Sequence, residues 1–167
     1  MFQTNVFADY YVTAAFLPLL KKAPTGSSTQ QGVPLASIIN IASISGTIKQ
    51  SQGGQFAYNS SKAAARHLTN LMAYEFSRDD VLVRVNSICP GYFPSEMTTN
   101  ESSDRDNKSE LKADGETFRN DKGVPAGRMG HDFEMARLCL DLATNTYIYG
   151  QNINIDGGLL LNWASDA

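Results

Sequence analysis

A phenol and an ammonium stand four residues apart in "YNSSK", as Tyr58 and Lys62. On a helix that spacing puts both side chains on one face, a turn apart. An unperturbed phenol ionises near ~10, too high for a base at neutral pH. A neighbouring ammonium favours the phenolate by charge, which makes the pair an acid/base device. The chain has seven tyrosines and seven lysines in 167 residues, so such a spacing arises by chance about 0.3 times, and alone it is a weak signal. Other reactive groups must converge on the pair before it counts as chemistry.

The elements that would bring them together follow from periodicity. Residues 4–20 read as a helix, with Phe7, Tyr10, Tyr11, Ala14, Leu17 and Leu20 as its apolar stripe. Thr4 is its expected cap, and Pro18 predicts a kink or an early end. "KKAPTGSSTQQGVP", 21–34, is loop. "SIINIAS", 37–43, is a buried strand by its β-branched run. A loop, 44–55, leads to a second helix over 57–77, whose stripe is Ala64, Leu68, Leu71, Met72 and Phe76. "VRVNSIC", 83–89, is the next strand, stopped by Pro90 and Gly91. Residues 95–123 are charged and rich in Ser, Thr and Asn; composition alone favours a solvated linker over a mobile lid. A helix at 132–144, with Asp132 as its N-cap, and a strand at 151–158 complete the order.

Strands alternating with helices of crossover length imply an α/β fold with a parallel sheet covered by helices. In such sheets reactive groups collect beyond the carboxyl ends of the strands. Ser43 follows one strand, Pro90 to Ser95 follow the next, and Tyr58 and Lys62 open the helix between them. Topology alone therefore brings three segments to one sheet edge.

The bulk numbers exclude more than they assign. The chain is 42% hydrophobic and 19% charged, as in an ordinary globular domain. A net charge of −3 gives no reason to expect nucleic acid or an anionic membrane as partner. Cys89 and Cys139 sit in apolar runs and read as reduced buried residues, and His67 and His131 are isolated, so no metal site is expected. The N-terminal stretch has no basic start, Asp9 interrupts it, and no run is long enough to span a bilayer. A cytoplasmic location is expected.

The segments "NIASISG", "YNSSK", "VNSICPGYFPSEM" and "GQNINIDGG", in that order, resemble the signature segments of the short-chain dehydrogenase/reductase family, and "TNVFADYYVTAAFLPLL" is similar to the family helix that carries an asparagine. The resemblance runs from about residue 2 to residue 160. It implies the C-terminal portion of a Rossmann-like, doubly wound parallel sheet of about three strands, and reversible hydride transfer between NAD(P)H and a small carbonyl or alcohol substrate. It implies Tyr58 as general acid/base, Lys62 as its charge partner and a ligand of the nicotinamide ribose, and Asn5 as holder of a water in a proton relay. A serine would bond the substrate oxygen. Ser43 fits the family's Ser-x-x-Gly and is preferred; Ser45 lies nearer the usual separation from the tyrosine and stays open. Around the cofactor, Pro90 and Gly91 would shape the turn, the backbone of Phe93 would meet the carboxamide, and Ser95 the pyrophosphate. Residues 95–127 would be the substrate lid, which raises that reading above its compositional weight. Asn86 and Asp156-Gly157-Gly158 look structural.

The family's TGxxxGxG turn, its Asn-Asn-Ala-Gly strand segment and the residue choosing NAD or NADP have no counterpart in the sequence; "GVPAGRMG", 123–130, contains Pro125 and falls in a pre-helix loop. The family strand that flanks 37–43 is missing too, so an exposed ladder edge and exposed helix faces are expected. Two expectations follow. One is a single partial NAD(P)-binding domain over 1–167, truncated or fragmentary, homo-oligomeric when the full fold is present and binding NAD or NADP only weakly by itself. The other is a non-catalytic interaction module, pairing through the helices at 4–20 and 57–77 that resemble the family's dimer helices.

Overall fold

The computed structural model describes residues 1–23, 35–78, 80–95 and 115–163. A π-turn, Gln3–Phe7, runs directly into helix α1, Ala8–Leu20. Strand β1 spans Ser37–Ile41, a 3₁₀ turn Ile44–Gly46, helix α2 Phe56–Phe76 and strand β2 Arg84–Pro90. Helix α3, Gly115–Lys122, helix α4, Asp132–Thr144, strand β3, Asn152–Ile155, and a one-turn helix α5, Leu159–Asn162, follow. The sheet is parallel in the order β1-β2-β3, with Ser37 opposite Arg84, Ile41 opposite Ile88, Ser87 opposite Asn152 and Pro90 opposite Ile155.

β2 is central and buried from Arg84 to Cys89, as a strand covered on both faces must be. It carries polar residues there because each finds a partner. The buried Arg84 guanidinium donates to the carbonyls of Leu142, Ala143 and Asn145 at 2.8, 2.7 and 3.0 Å, placing a cation on the negative C-terminal end of α4. Asn86 donates to the Ile148 carbonyl at 3.0 Å and accepts from the Gln151 N–H at 2.9 Å, joining β2 to the approach of β3. These bonds account for the structural role expected of Asn86.

α2 lies on the sheet through Ser61, Ala65, Thr69, Met72 and Ala73. Small residues allow the close approach, and Asn40 of β1 donates to Thr69 Oγ1 at 2.9 Å. One apolar cluster joins Met72, Ala73 and Val85 with Ile38, Leu68 and Phe76. A second lies beyond the strands' carboxyl ends, where Phe118 of α3, Leu159 of α5, Val124 and Met129 pack on Ala42, Ile44 and Cys89.

Several sequence expectations are corrected. Thr4 lies inside the π-turn rather than capping a helix. α1 continues past Pro18 to Leu20; Ala14 and Pro18 are both exposed, so water can take the bond that proline cannot offer. The stripe expected to be buried is largely outside: Tyr10, Tyr11 and Phe7 are exposed, and Thr13 is the buried residue of α1. Leu71 of α2 is exposed too. His131, not Asp132, is the N-cap of α4, where the Glu134 carboxylate accepts from its backbone N–H at 2.7 Å. Within the expected lid, residues 96–114 lie outside the described residues and 115–122 are helical; the 21–34 loop is described only to residue 23.

Candidate active site

Ser43 sits two residues past β1, in extended backbone, and caps the 3₁₀ turn: its Oγ accepts from the Ser45 N–H at 3.1 Å. Ser45 donates its own hydroxyl to Gln52 Oε1 at 2.9 Å. Both serines are buried, at 7% and 6% exposure, yet their hydroxyls are used differently. Ser45's proton is committed to Gln52, whereas the Ser43 hydroxyl accepts, which leaves its proton for another oxygen.

Gly46 closes this turn against α2. A Cβ there would lie 2.6 Å from the Lys62 carbonyl carbon and 2.7 Å from the Ala63 nitrogen, closer than packed atoms come. The glycine of Ser-x-x-Gly is thus the contact that sets Ser43 beside the Tyr58–Lys62 helix. Lys62 donates from Nζ to the Ile41 carbonyl at 2.8 Å and lies 6.0 Å from the centroid of the Tyr58 ring. The Ala42 N–H bonds Ile88 of β2. The Ile41 carbonyl belongs to the same trans peptide and so points the opposite way, off the other edge of β1. The ammonium therefore rests on the last carbonyl of that edge, where Ile41 itself is 51% exposed.

Asn5, in the π-turn, donates from Nδ2 to Ser61 Oγ at 3.0 Å, and Ser61 donates to the Tyr58 carbonyl at 2.8 Å. Asn5 is thus held one residue from Lys62 through a side chain that the sequence reading did not single out. Half-buried Lys62 has its pKa lowered by burial, opposed by the charge of Asp9 and then by Cys89. Asp9 is raised by burial, opposed by Lys62. Sequence reading missed Asp9 as well; the available signal was an acid four residues after Asn5 in an otherwise aromatic helix.

The loop after β2 reaches the same end of the sheet. Gly91 donates to the Ile155 carbonyl at 3.0 Å, and a Cβ on it would meet Asp156 Cα at 2.8 Å, so only glycine lets this turn lie against the one after β3. The Asp156 carboxylate accepts from the N–H groups of Gly158 and Leu160 at 3.0 and 2.8 Å, which explains the Asp-Gly-Gly turn. The Phe93 ring lies against Gly130. Tyr92, Phe93, Arg128, Glu134 and Asp156 share the lining of a cleft of about 120 Å³. Arg128 and Glu134 are paired across it at 2.7 Å, and that pair with the His131 N–H holds the Glu134 carboxyl down at about 2. Among the described residues no group of side chains could hold a metal ion, and no helix is long and apolar enough to cross a membrane.

A parallel sheet with a phenol, an ammonium and two serines near its carboxyl end defines an α/β protein with a candidate acid/base site. The family model for short chain dehydrogenases matches residues 1–106, and the chain belongs to the short-chain dehydrogenase/reductase family. It is 34% identical over 161 residues to a rhamnolipids biosynthesis 3-oxoacyl-[acyl-carrier-protein] reductase of Pseudomonas aeruginosa, covering 95% of this chain and 56% of the relative. It is 33% identical to a ribulose-forming D-arabinitol 2-dehydrogenase of Candida albicans, covering 95% and 50%. Among solved structures it resembles the Pseudomonas aeruginosa RhlG/NADP active-site complex, with a TM-score of 0.74, 32% identity, and 95% and 57% of the two chains covered. The chain spans about half the length of these relatives.

Proposed function

We propose that this chain supplies the acid/base half of an oxidoreductase that moves hydride between NAD(P)H and a small carbonyl or alcohol. The observation that carries the reading is the meeting of Ser43, Tyr58 and Lys62 at the carboxyl end of β1, with the Gly46 contact setting the serine loop against the helix. In the reducing direction, Tyr58 gives its phenolic proton to the carbonyl oxygen of the substrate. The Ser43 hydroxyl donates a hydrogen bond to that oxygen as negative charge develops there, an oxyanion-type contribution. The Lys62 ammonium stabilises the phenolate left behind. In the oxidising direction the phenolate takes the proton back. Asn5, bonded to Ser61, would hold a water in a proton relay to Lys62. Ser45, tied to Gln52, lines the pocket.

The donor set fits the nicotinamide end of a dinucleotide. Lys62 would offer its ammonium to ribose hydroxyls, Pro90 and Gly91 would shape the turn, the backbone of Phe93 would meet the carboxamide and Ser95 would contact the pyrophosphate. The bound dinucleotide would supply the hydride. A glycine-rich turn opening a helix, the usual pyrophosphate anchor, does not occur among the described residues, so weak NAD(P)H binding by residues 1–167 alone is expected. Residues 95–127 would cover the substrate.

The test is a chimera in which residues 1–167 replace the matching half of the Pseudomonas aeruginosa reductase. NADPH-dependent reduction of a small carbonyl is expected; a folded, NADPH-binding chimera that turns over no carbonyl from a broad panel overturns the reading. A second reading, an interaction module without catalysis, is favoured by the aromatic outer face of α1, where Tyr11, Phe16 and Leu19 are 67%, 55% and 63% exposed. It predicts self-association or pairing with a relative through α1 and α2, with no turnover in the chimera.

A further inference from the structure

Gly130 is a glycine because of what touches it, not because of its backbone. Its φ lies outside the positive region, unlike those of Gly123 and Gly127 before it, at 71° and 69°. Instead the Phe93 ring lies on its bare Cα. A Cβ there would overlap three ring carbons, the farthest of them, Cδ1, at 2.9 Å, closer than packed carbons come. The same residue donates its N–H to the Tyr92 carbonyl at 2.9 Å. Gly130 thus holds Phe93 at two points, the ring and the peptide that precedes it. In a trans peptide the carbonyl and the following N–H point opposite ways, so a Tyr92 carbonyl turned to Gly130 turns the Phe93 N–H away from it.

Gly130 is itself held. Arg128 donates from Nη1 and Nη2 to the two carboxylate oxygens of Glu134, at 2.9 and 2.7 Å, and from Nη1 to the Met129 carbonyl at 2.9 Å. Glu134 Oε2 also accepts from the His131 N–H at 2.7 Å, where α4 begins. The two-pronged pair closes a loop over residues 128–134 with Gly130 inside it. Tyr92 in turn packs edge-on against Phe118 of α3, with ring centroids 5.9 Å apart.

We infer that Gly130 is a positioning residue for the dinucleotide: it seats the Phe93 ring and orients the Tyr92–Phe93 peptide, so that the Phe93 backbone is presented to the nicotinamide carboxamide. This rests on the reading above for what Phe93 meets, but not on whether any substrate is turned over. Gly130→Ala puts a methyl group where the ring lies. The ring must move, and the peptide bonded to Gly130 moves with it. The loss then falls on the nicotinamide end of the ligand and not on its adenosine end.

The experiment measures dissociation constants in the chimera by titration calorimetry, for NADPH and for phospho-ADP-ribose, the same dinucleotide without its nicotinamide ring. In Gly130→Ala the NADPH constant is expected to rise about tenfold, the worth of one hydrogen bond, and the phospho-ADP-ribose constant by no more than ~2-fold. A merely structural defect weakens both alike. Phe93→Ala removes the ring that the new methyl group would strike, so adding Gly130→Ala to it is expected to cost nothing further. An unchanged NADPH constant in Gly130→Ala, equal losses for the two ligands, or the same loss with and without the Phe93 ring overturns the inference. Should Gly130→Ala fail to fold, the double variant with Phe93→Ala must fold, and failure there as well overturns the inference. No arm uses turnover. Equal losses in a chimera that reduces a carbonyl sink the role of Gly130 and leave the oxidoreductase reading standing. A selective loss in a chimera without turnover does the reverse.

Discussion

The two sides of β2 are built on different terms. Toward β3 and α4, the terminal nitrogens of Arg84 and the amide of Asn86 bond carbonyls and an N–H up to 65 residues away in sequence. Toward β1 and α1 the molecule is open. Ile41 shows half its surface, the aromatic residues of α1 face outward, and Lys62 reaches over the strand edge to bond the Ile41 carbonyl. The closed side is stabilised by bonds that specify one arrangement. The open side carries the candidate acid/base groups, held by the Gly46 contact, the Asn5–Ser61 bond and the Asn40–Thr69 bond among others. The candidate site thus stands beside the exposed ladder edge of β1.

Substitutions can break that comparison. Arg84→Ala should have the largest effect on stability, a loss of roughly 3 kcal/mol, because it removes the donors to three helix-end carbonyls and leaves a cavity. Urea denaturation followed by circular dichroism reads it, and a loss below about 1 kcal/mol would mean the closed side does not depend on this arginine. Gly46→Ala should cost about 2 kcal/mol by forcing a methyl group against the α2 backbone. In the chimera it should depress turnover by more than its stability loss implies, since Ser43 and Tyr58 are pushed apart. Equal turnover per folded molecule would show that the contact does not set the site. Phe16→Ser, on the open face, should change stability by no more than ~0.5 kcal/mol while reducing self-association in sedimentation velocity. A large destabilisation would show that α1 buries this ring and that the open side is closed in solution.

The sequence made the sheet legible because its strands are short β-branched runs between turn residues and its long helix is strongly periodic; the 57–77 expectation lies one residue from the observed Phe56–Phe76. It misjudged α1 for a physical reason. Periodicity reports which residues share a face, not whether anything covers that face; here Asn5, Asp9 and Thr13 turn inward beside Leu17 and Leu20, while Phe7, Tyr10, Tyr11 and Ala14 of the expected stripe are exposed. α3 was hidden because its surroundings are charged and polar, and Phe118 is its one buried residue. The partners of Arg84 could not be read at all, since nothing local in "LVRVN" says that a guanidinium will meet the end of a helix 58 residues later. Of the candidate site, Tyr58 and Lys62 stood out by spacing and topology, and Ser43 by topology and the Ser-x-x-Gly resemblance. Ser61, Gln52 and Asp9, which tether or balance them, emerge only from the packing.

The central claim is that Tyr58 moves the proton and Lys62 holds it ready to do so. The most direct measurement is the turnover of the chimera carrying Tyr58→Phe, beside its NADPH affinity. A fall in kcat of ~10²- to 10⁴-fold is expected, the usual contribution of a positioned general acid, with NADPH binding nearly unchanged. Turnover equal to that of the unaltered chimera would contradict it.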